Sequence, residues 1–164
     1  RFGMIHRNTY INAPRVLLPT WQTRWRPDVL IAGQVSGVEG YVESAASGLL
    51  AGLSAAALVS GRTPVPPPRT TALGALAFYV SKAEPRGYQP TNITFGIMPP
   101  LDEDQSGGPR VRSVSARTPG MPRRRARRLD RANAIAARAL RDLAGWSALL
   151  GIETLRPCDL PGTR

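Results

Sequence analysis

A glycine-rich segment that follows an apolar run is the part of this sequence best suited to bind a ligand. It reads Gly33-Gln34-Val35-Ser36-Gly37-Val38-Glu39-Gly40-Tyr41. A turn of this kind, placed before a helix, presents backbone N–H groups and the positive helix end to an anion such as a cofactor phosphate or an electron-rich ring edge. The glycine spacing differs from that of the G-x-G-x-x-G dinucleotide motif. By spacing alone, the segment also fits an ordinary strand-to-helix connection.

Two flanking elements must position this segment. The continuously apolar run Val29-Leu30-Ile31-Ala32 predicts a short strand buried on both faces of a sheet. Tyr41 to Ser60, rich in alanine and leucine, predicts a helix that stops at Gly61. Gly48 and Gly52 lie one turn apart in that helix. Because glycine inside a helix costs up to about 1 kcal/mol relative to alanine, we expect another backbone to pack against that face.

The single histidine and the single cysteine restrict other kinds of chemistry. His6 and Cys158 cannot form a cysteine-rich metal site or an internal disulfide. A Ser-His-Asp arrangement is possible by inventory, but the nucleophile-elbow motif that would support it is missing. A structural histidine and an incidental exposed thiol are the simpler interpretations.

A third polar segment, Tyr88 to Gly96, places amides and hydroxyls beside aromatic rings. These groups could bind a heterocycle with hydrogen-bonding edges. They fit equally well a loop whose polar groups are all hydrogen-bonded within the protein. A second helix is predicted over residues 70–80, with Thr70 or Thr71 as its N-cap.

The positive charge is concentrated in one segment. The formal net charge is +11, yet residues 110–141 alone hold 11 arginines and one acidic residue. Such a cluster favours a polyanion, most often a phosphate backbone. A basic linker without a specific partner is the alternative, and the excess of arginine (21, against one lysine) is also typical of a GC-rich genome.

The ends and the apolar content of the chain predict its location. No uninterrupted apolar run reaches the roughly 18 residues of a membrane span, and no secretory or transit segment opens the chain. We therefore expect a cytoplasmic protein without a membrane partner. The chain begins without Met, inside a β-like stretch, so we expect residue 1 to be a cut in a longer chain.

Four segments together resemble the methylenetetrahydrofolate–tRNA uracil-5-methyltransferases (TrmFO). Their order and spacing match that family almost without a gap over residues 1–101, and residues 131–146 resemble its closing helix more weakly. The segments are His6-Arg7-Asn8-Thr9-Tyr10-Ile11-Asn12-Ala13-Pro14, Ala32-Gly33-Gln34 with Gly37 through Gly48, Thr70 through Leu76, and Gln89-Pro90-Thr91-Asn92 with Phe95-Gly96. A sister family, the tRNA carboxymethylaminomethyl-uridine enzymes, shares Ala-Gly-Gln but usually continues differently, and it is the close alternative.

The resemblance implies an α/β fold, namely the C-terminal part of a Rossmann-type FAD-binding domain of the glutathione-reductase-like class, incomplete without its N-terminal half. That half would hold the dinucleotide fingerprint and the reactive cysteines, so no catalytic residue is assigned here and the chain alone is expected to be inactive. The implied division is 1–26 for the end of an insertion domain and its return strand, 27–101 for the FAD-binding portion, 102–128 for a basic flexible linker, 129–146 for the closing helix and 147–164 for a tail.

The resemblance also implies cofactors and partners. FAD would be reduced by NADPH or NADH, 5,10-methylenetetrahydrofolate would donate the methylene group, and the T-loop uridine of tRNA would become 5-methyluridine, without a metal. His6 would stack on the folate. The residues that would contact FAD are Gly33, Gln34, Gly37, Val38 and Glu39; the tRNA contacts would be Arg123, Arg124, Arg125, Arg127 and Arg128. The rivals are a non-enzymatic basic RNA-binding module and an FAD oxidoreductase acting on a small molecule.

Overall fold

The computed structural model describes residues 9–101 and 123–152. The chain forms two compact units, Arg1–Met98 and Pro99–Arg164. Within the described ranges the regular elements are the helices α1 (Ala13–Val16), α2 (Tyr41–Val59), α3 (Ala72–Lys82) and α4 (Arg123–Leu149), with 3-10 turns at Gly33–Ser36 and Pro85–Gly87.

No sheet forms in the described residues, which are mostly helical. Only isolated bridges occur there, namely Leu17–Thr23, Gln22–Leu30 and Val38–Thr91. The predicted strand Val29–Ala32 is therefore wrong for the structure: Leu30 forms a single bridge, and Val29 is 40% exposed. A strand buried on both faces needs neighbouring strands and covering layers, which these residues do not supply. The Rossmann-type assignment remains a prediction.

The return strand expected within residues 1–26 does not form over the described residues 9–26, where β pairing is limited to isolated bridges at Leu17, Gln22 and Thr23. Residues Ala13–Val16 form the short helix α1, with proline in its first turn. Proline favours this position because its fixed φ suits a helix and its missing N–H would have no partner there. α1 packs against α3, and Ala13 and Leu17 are fully buried.

α2 matches its prediction closely. It spans Tyr41–Val59, Ser60 is its C-cap, and Gly61 follows with φ 67°. The expectation that a backbone packs on Gly48 and Gly52 is not met, since a Cβ at either position would meet no described atom within 4 Å. The 19-residue helix is also long and apolar enough to cross a membrane by length and composition. Core helices of soluble proteins pass the same test. The sequence-based expectation concerned uninterrupted apolar runs, and α2 is interrupted by Glu43 and Ser44.

α3 begins at the cap that the sequence offered. Thr71, not Thr70, is the N-cap, and its Oγ1 accepts a hydrogen bond of 2.9 Å from the backbone N of Gly74. The same hydroxyl donates to the carbonyl of Pro68 at 2.7 Å. The start of α3 is thereby fastened to the proline-rich connector. The buried apolar residues of the first unit are Ala13, Leu17, Trp21, Val38, Leu50, Ala75, Leu76, Ala77, Val80 and Tyr88.

The second unit is dominated by α4. The closing helix, expected over residues 129–146, spans Arg123–Leu149 in the structure, so the linker assignment is wrong for residues 123–128, which are helical. Arg138 is 5% exposed, and its guanidinium donates to the carbonyls of Pro99 at 2.5 Å and Pro100 at 2.7 Å. The remaining linker, residues 102–122, and the tail from residue 153 lie outside the described residues.

Candidate functional site

The glycine-rich segment forms a 3-10 turn followed by a tight connection into α2. Gly33–Ser36 form the turn, and Gly37 closes it in the left-handed conformation. Gly33, Gly37 and Gly40 have φ values of 72°, 83° and 87°. Side chains avoid this region because their Cβ would crowd the backbone. The glycine spacing is therefore explained by the path of the chain.

Several amides of this segment already have partners within the protein. The N–H of Gly33 donates to the hydroxyl of Ser47 at 2.8 Å. The N–H of Gly37 donates to the carbonyl of Gln34, and that of Glu39 to the carbonyl of Thr91, both at 2.9 Å. These three groups hold the loop in shape, so an anion would have to be attracted by another element.

The start of α2 is that element. Its N-cap, Gly40, makes no side-chain capping bond. The first two residues of the helix, Tyr41 and Val42, are 97% and 79% exposed. The N-terminus of a helix carries about half a positive charge on its unpaired N–H groups. An electron-rich ligand edge can therefore approach the exposed residues Tyr41 and Val42, where it shares the positive helix end with the Glu43 carboxylate of the first turn.

The polar segment that begins at Tyr88 runs beside the loop. Val38 and Thr91 form a parallel bridge, and the N–H of Thr91 donates to the carbonyl of Gly37 at 3.1 Å. The N–H of Ile93 donates to the carboxylate of Glu43 in the first turn of α2, at 3.3 Å. The structure thus brings together two of the candidate segments that were separate in the sequence.

Tyr88 holds the glycine-rich loop against the segment that Tyr88 begins. Its hydroxyl donates to the carbonyl of Ser36 at 2.7 Å in a buried bond, and its ring lies 6.1 Å from that of Tyr10 and 5.9 Å from that of Tyr79. Burial, with smaller effects from Tyr79 and Tyr10, raises the pKa of Tyr88 above its usual value. The sequence identified the segment but missed this role, because an aromatic residue at its first position gives no sign of a partner 52 residues away.

The predicted FAD contacts differ in accessibility. The side chains of Gln34 and Glu39 are exposed, and Gly33 is half-buried. Gly37 is buried, and Val38 is 1% exposed. Val38 therefore serves as an anchor of the loop, paired with Thr91, and is covered by the protein in this structure.

The other predicted site residues lie elsewhere. His6 lies outside the described residues. In α4 of the second unit, the side chains of Arg124, Arg125 and Arg128 are exposed, and the backbones of Arg123 and Arg127 lie in the same helix. Among the described residues, no group of three or more His, Cys, Asp and Glu could hold a metal ion.

We expect the Tyr88→Phe variant to lose about 1–3 kcal/mol of unfolding free energy, because the buried Ser36 carbonyl loses its donor. Tyr79→Phe is the matched control: its hydroxyl bonds to the carbonyl of Gln89 at 3.0 Å at an exposed position, where water can replace it, and it should change stability by less than about 0.5 kcal/mol. Urea unfolding followed by tyrosine and tryptophan fluorescence measures both.

A pH series gives a second test of the Tyr88 assignment. The folded state keeps the Tyr88 phenol neutral, with a pKa raised from 10.0. This contribution to stability is therefore present below pH 10 and is lost as the pH rises beyond it. The alkaline decline should be weaker in Tyr88→Phe than in the parent protein. Equal declines in both would show that Tyr88 is not the group responsible.

The glycine-rich loop lies within the part of the chain that matches known proteins. The family model described as "Glucose inhibited division protein A" matches residues 1–63, which include the whole glycine-rich segment. A TrmFO from Solibacter usitatus is 61% identical over 103 residues, which cover 63% of this chain and 23% of that protein. A TrmFO from Symbiobacterium thermophilum is 47% identical over 147 residues, covering 90% of this chain and 29% of that protein.

The chain is a relative of the TrmFO methyltransferases. Another member, from Heliobacterium modesticaldum, is 57% identical over 107 residues. These identities confirm the resemblance seen in the sequence. The chain spans about a quarter of the length of these curated TrmFO relatives, from 23% to 29%.

Proposed function

We propose that this chain is the C-terminal part of a folate- and FAD-dependent tRNA methyltransferase that forms 5-methyluridine at the T-loop uridine. The observation that carries the proposal is the 61% identity to a protein named methylenetetrahydrofolate–tRNA-(uracil-5-)-methyltransferase. The family match across the glycine-rich loop supports a flavoprotein of Rossmann-type fold. A cytoplasmic location accompanies this activity.

The loop and the open end of α2 fit a flavin chemically. When bound, FAD supplies the carrier that passes a methylene carbon from 5,10-methylenetetrahydrofolate to uridine C5, with NADPH or NADH as reductant. The uncapped α2 N-terminus would stabilise negative charge on a ring edge placed against it. Gln34 would contribute an exposed amide with both donors and an acceptor. Ser47 and Tyr88 would hold the loop that carries these groups.

The substrate contacts proposed for the rest of the chain come from the resemblance and from charge. His6 would lie against the folate ring. Arg124, Arg125 and Arg128 would contact tRNA phosphates together with Arg123 and Arg127. Arginine suits this task because its planar guanidinium makes paired hydrogen bonds to phosphate oxygens.

The product of the gene extended upstream to its natural start provides the test. It is incubated with 5,10-methylenetetrahydrofolate, NADPH, FAD and tRNA lacking T-loop methylation, and nucleosides are analysed by mass spectrometry. We expect 5-methyluridine from the full product and none from the 164-residue chain. If the full product holds flavin but makes no 5-methyluridine, the reaction is wrong, and the sister tRNA-modifying family or a small-molecule flavoenzyme replaces it.

The exposed arginines of α4 favour one second candidate, a non-enzymatic RNA-binding module. That function predicts tRNA binding by the 164-residue chain without flavin in any form of the protein, with log affinity falling steeply as log salt rises. Replacing Arg124, Arg125 and Arg128 by glutamine should reduce that salt dependence in either case. Only flavin content and methylation separate the two functions.

A further inference from the structure

The turn that carries Trp25 presents an indole ring to solvent. Trp25 is 72% exposed, whereas tryptophan side chains are on average among the more buried in proteins. The other two tryptophans, Trp21 and Trp146, are 1% and 8% exposed. A single exposed apolar residue needs no explanation by itself, so the surroundings of Trp25 decide whether its ring can bind a partner.

Hydrogen bonds on both sides of Trp25 hold this turn in shape. The N–H of Thr23 donates to the carbonyl of Val29 at 2.8 Å, and the N–H of Val29 donates to the carbonyl of Arg26 at 2.9 Å. The hydroxyl of Thr23 donates to the same Arg26 carbonyl at 2.6 Å. The indole is therefore carried by a fixed backbone, and a ligand that stacks on it would not have to order the turn.

Basic residues from three separate elements meet beside this turn. Nη2 of Arg24 donates to the carbonyl of Pro14 in α1 at 3.3 Å and to the carbonyl of Ser81 in α3 at 3.1 Å. These carbonyls belong to the residues directly before Arg15 and Lys82. The side chains of Arg15 and Lys82 are exposed. The folded chain thus brings both of them close to Arg24 and to the ring that follows it.

The positive charge of Arg15 and Lys82 is left available to a partner. Neither residue takes part in an ion pair within the part of the chain that the structure describes. Of the acidic residues on the same elements, Asp28 is held by Arg26 through two hydrogen bonds of 2.9 and 2.7 Å. Glu84 is exposed and accepts a backbone N–H at 3.3 Å, so it reduces the positive charge without cancelling it.

A purely structural role explains only some of these groups. Arg24 satisfies carbonyls near the ends of α1 and α3, as basic residues at helix C-termini do. Lys82 lies in the last turn of α3, where a positive charge also favours the helix. Neither role needs an exposed ring beside it. A polyanion that carries flat rings, which is RNA, uses both the cations and the indole of Trp25.

We propose that Trp25, Arg15 and Lys82 form a contact surface for tRNA, with an unpaired base stacked on the indole and phosphates bound by the two cations. The inference rests on the proposed function, which supplies tRNA as the substrate. It adds a contact in the first unit to those proposed for the arginines of α4. Because every base has a flat π face, this surface adds affinity and not sequence preference.

Binding of unmodified tRNA by the full-length product tests the surface. Trp25→Ala should weaken binding about tenfold, because the stacking of one base is lost, and Trp25→Phe should retain most of the affinity. The double variant Arg15→Gln, Lys82→Gln should make log affinity fall less steeply with log salt, by about 1.4 in slope for two phosphate contacts. Circular dichroism shows whether each variant is folded.

Arg62→Gln is the matched control for Arg15→Gln. Arg62 is also exposed and lies beyond the end of α2, so its substitution removes one positive charge outside the proposed surface. It should leave the affinity for tRNA and its salt dependence nearly unchanged. An effect as large as that of Arg15→Gln would overturn the assignment of phosphate binding to this surface.

Hydroxyl-radical footprinting with mass spectrometry needs no variant. Trp25 should be oxidised in the full-length product alone and protected when tRNA is added. The proposal is overturned if Trp25 is already protected without tRNA, since another part of the enzyme then covers the ring, or if Trp25→Ala binds tRNA as tightly as the parent. Binding does not require methylation. Binding that depends on Trp25 without formation of 5-methyluridine would reject the proposed reaction alone, and no tRNA binding would reject both.

Discussion

Gly74→Ala should destabilise the chain by at least about 3 kcal/mol, the largest effect that we expect from a single methyl group. A Cβ at Gly74 would lie 2.5 Å from the carbonyl oxygen of Pro67 and in still closer contact with that of Pro68. Both atoms belong to a proline-rich backbone whose φ angles are fixed by the rings, which limits how far it can move away. α3 would have to separate from the connector and would lose the hydrogen bonds that the Thr71 N–H and hydroxyl donate to the Pro68 carbonyl. Urea unfolding at constant m-value measures the loss.

Gly48→Ala provides the control with the opposite sign. It is also a helical glycine, but no described atom lies within 4 Å of the added Cβ. Alanine should therefore stabilise the isolated chain by about 0.5–1 kcal/mol. Equal effects at both positions would contradict the close contact between α3 and the connector.

Gly37→Ala should destabilise the loop that we propose holds the flavin. The substitution forces alanine into φ 83°, which costs about 1–2 kcal/mol. It also places a Cβ 2.8 Å from the ring of Tyr88, so the phenol must move from the Ser36 carbonyl. We expect a total loss of about 3 kcal/mol and, in the full-length protein, loss of most bound flavin, measured as absorbance per polypeptide.

Gly33→Ala is the control that measures backbone strain without the steric clash that Gly37→Ala makes with Tyr88. Gly33 has a similar φ, 72°, but an added Cβ meets no described atom within 4 Å. It should cost about 1–2 kcal/mol, the strain alone. If Gly33→Ala and Gly37→Ala are equally destabilising, the contact between Gly37 and Tyr88 does not hold the loop.

The helices were predictable because their signals are local. The boundaries of α2 follow from an alanine-rich run and Gly61, and Thr71 could be offered as a cap from its type and position. The strand at Val29–Ala32 failed because apolar composition reports burial in a complete sheet, whereas pairing depends on neighbouring strands. α1 was missed because four helical residues after Asn12 give too short a periodic pattern.

The candidate site was predictable in position but not in its internal bonding. Glycine spacing located the loop, and polar composition located the Tyr88 segment. The bond from Tyr88 to Ser36 spans 52 residues, and that from Gly33 to Ser47 depends on how the loop folds back on α2. Such distant pairs leave no trace in residue type or period, so the use of the loop amides could only be read from the structure.

The Ser47 hydroxyl affects how tightly the glycine-rich loop would hold the proposed cofactor. It accepts from the N–H of Gly33 and donates to the carbonyl of Ser44, each at 2.8 Å. The loop is thereby tied to its own helix before any ligand arrives, so its conformational entropy is lost during folding. A cofactor that meets a preorganised loop does not have to order it on association. If the loop holds FAD as proposed, removing this hydroxyl should weaken retention of the cofactor chiefly through faster dissociation from a loosened loop.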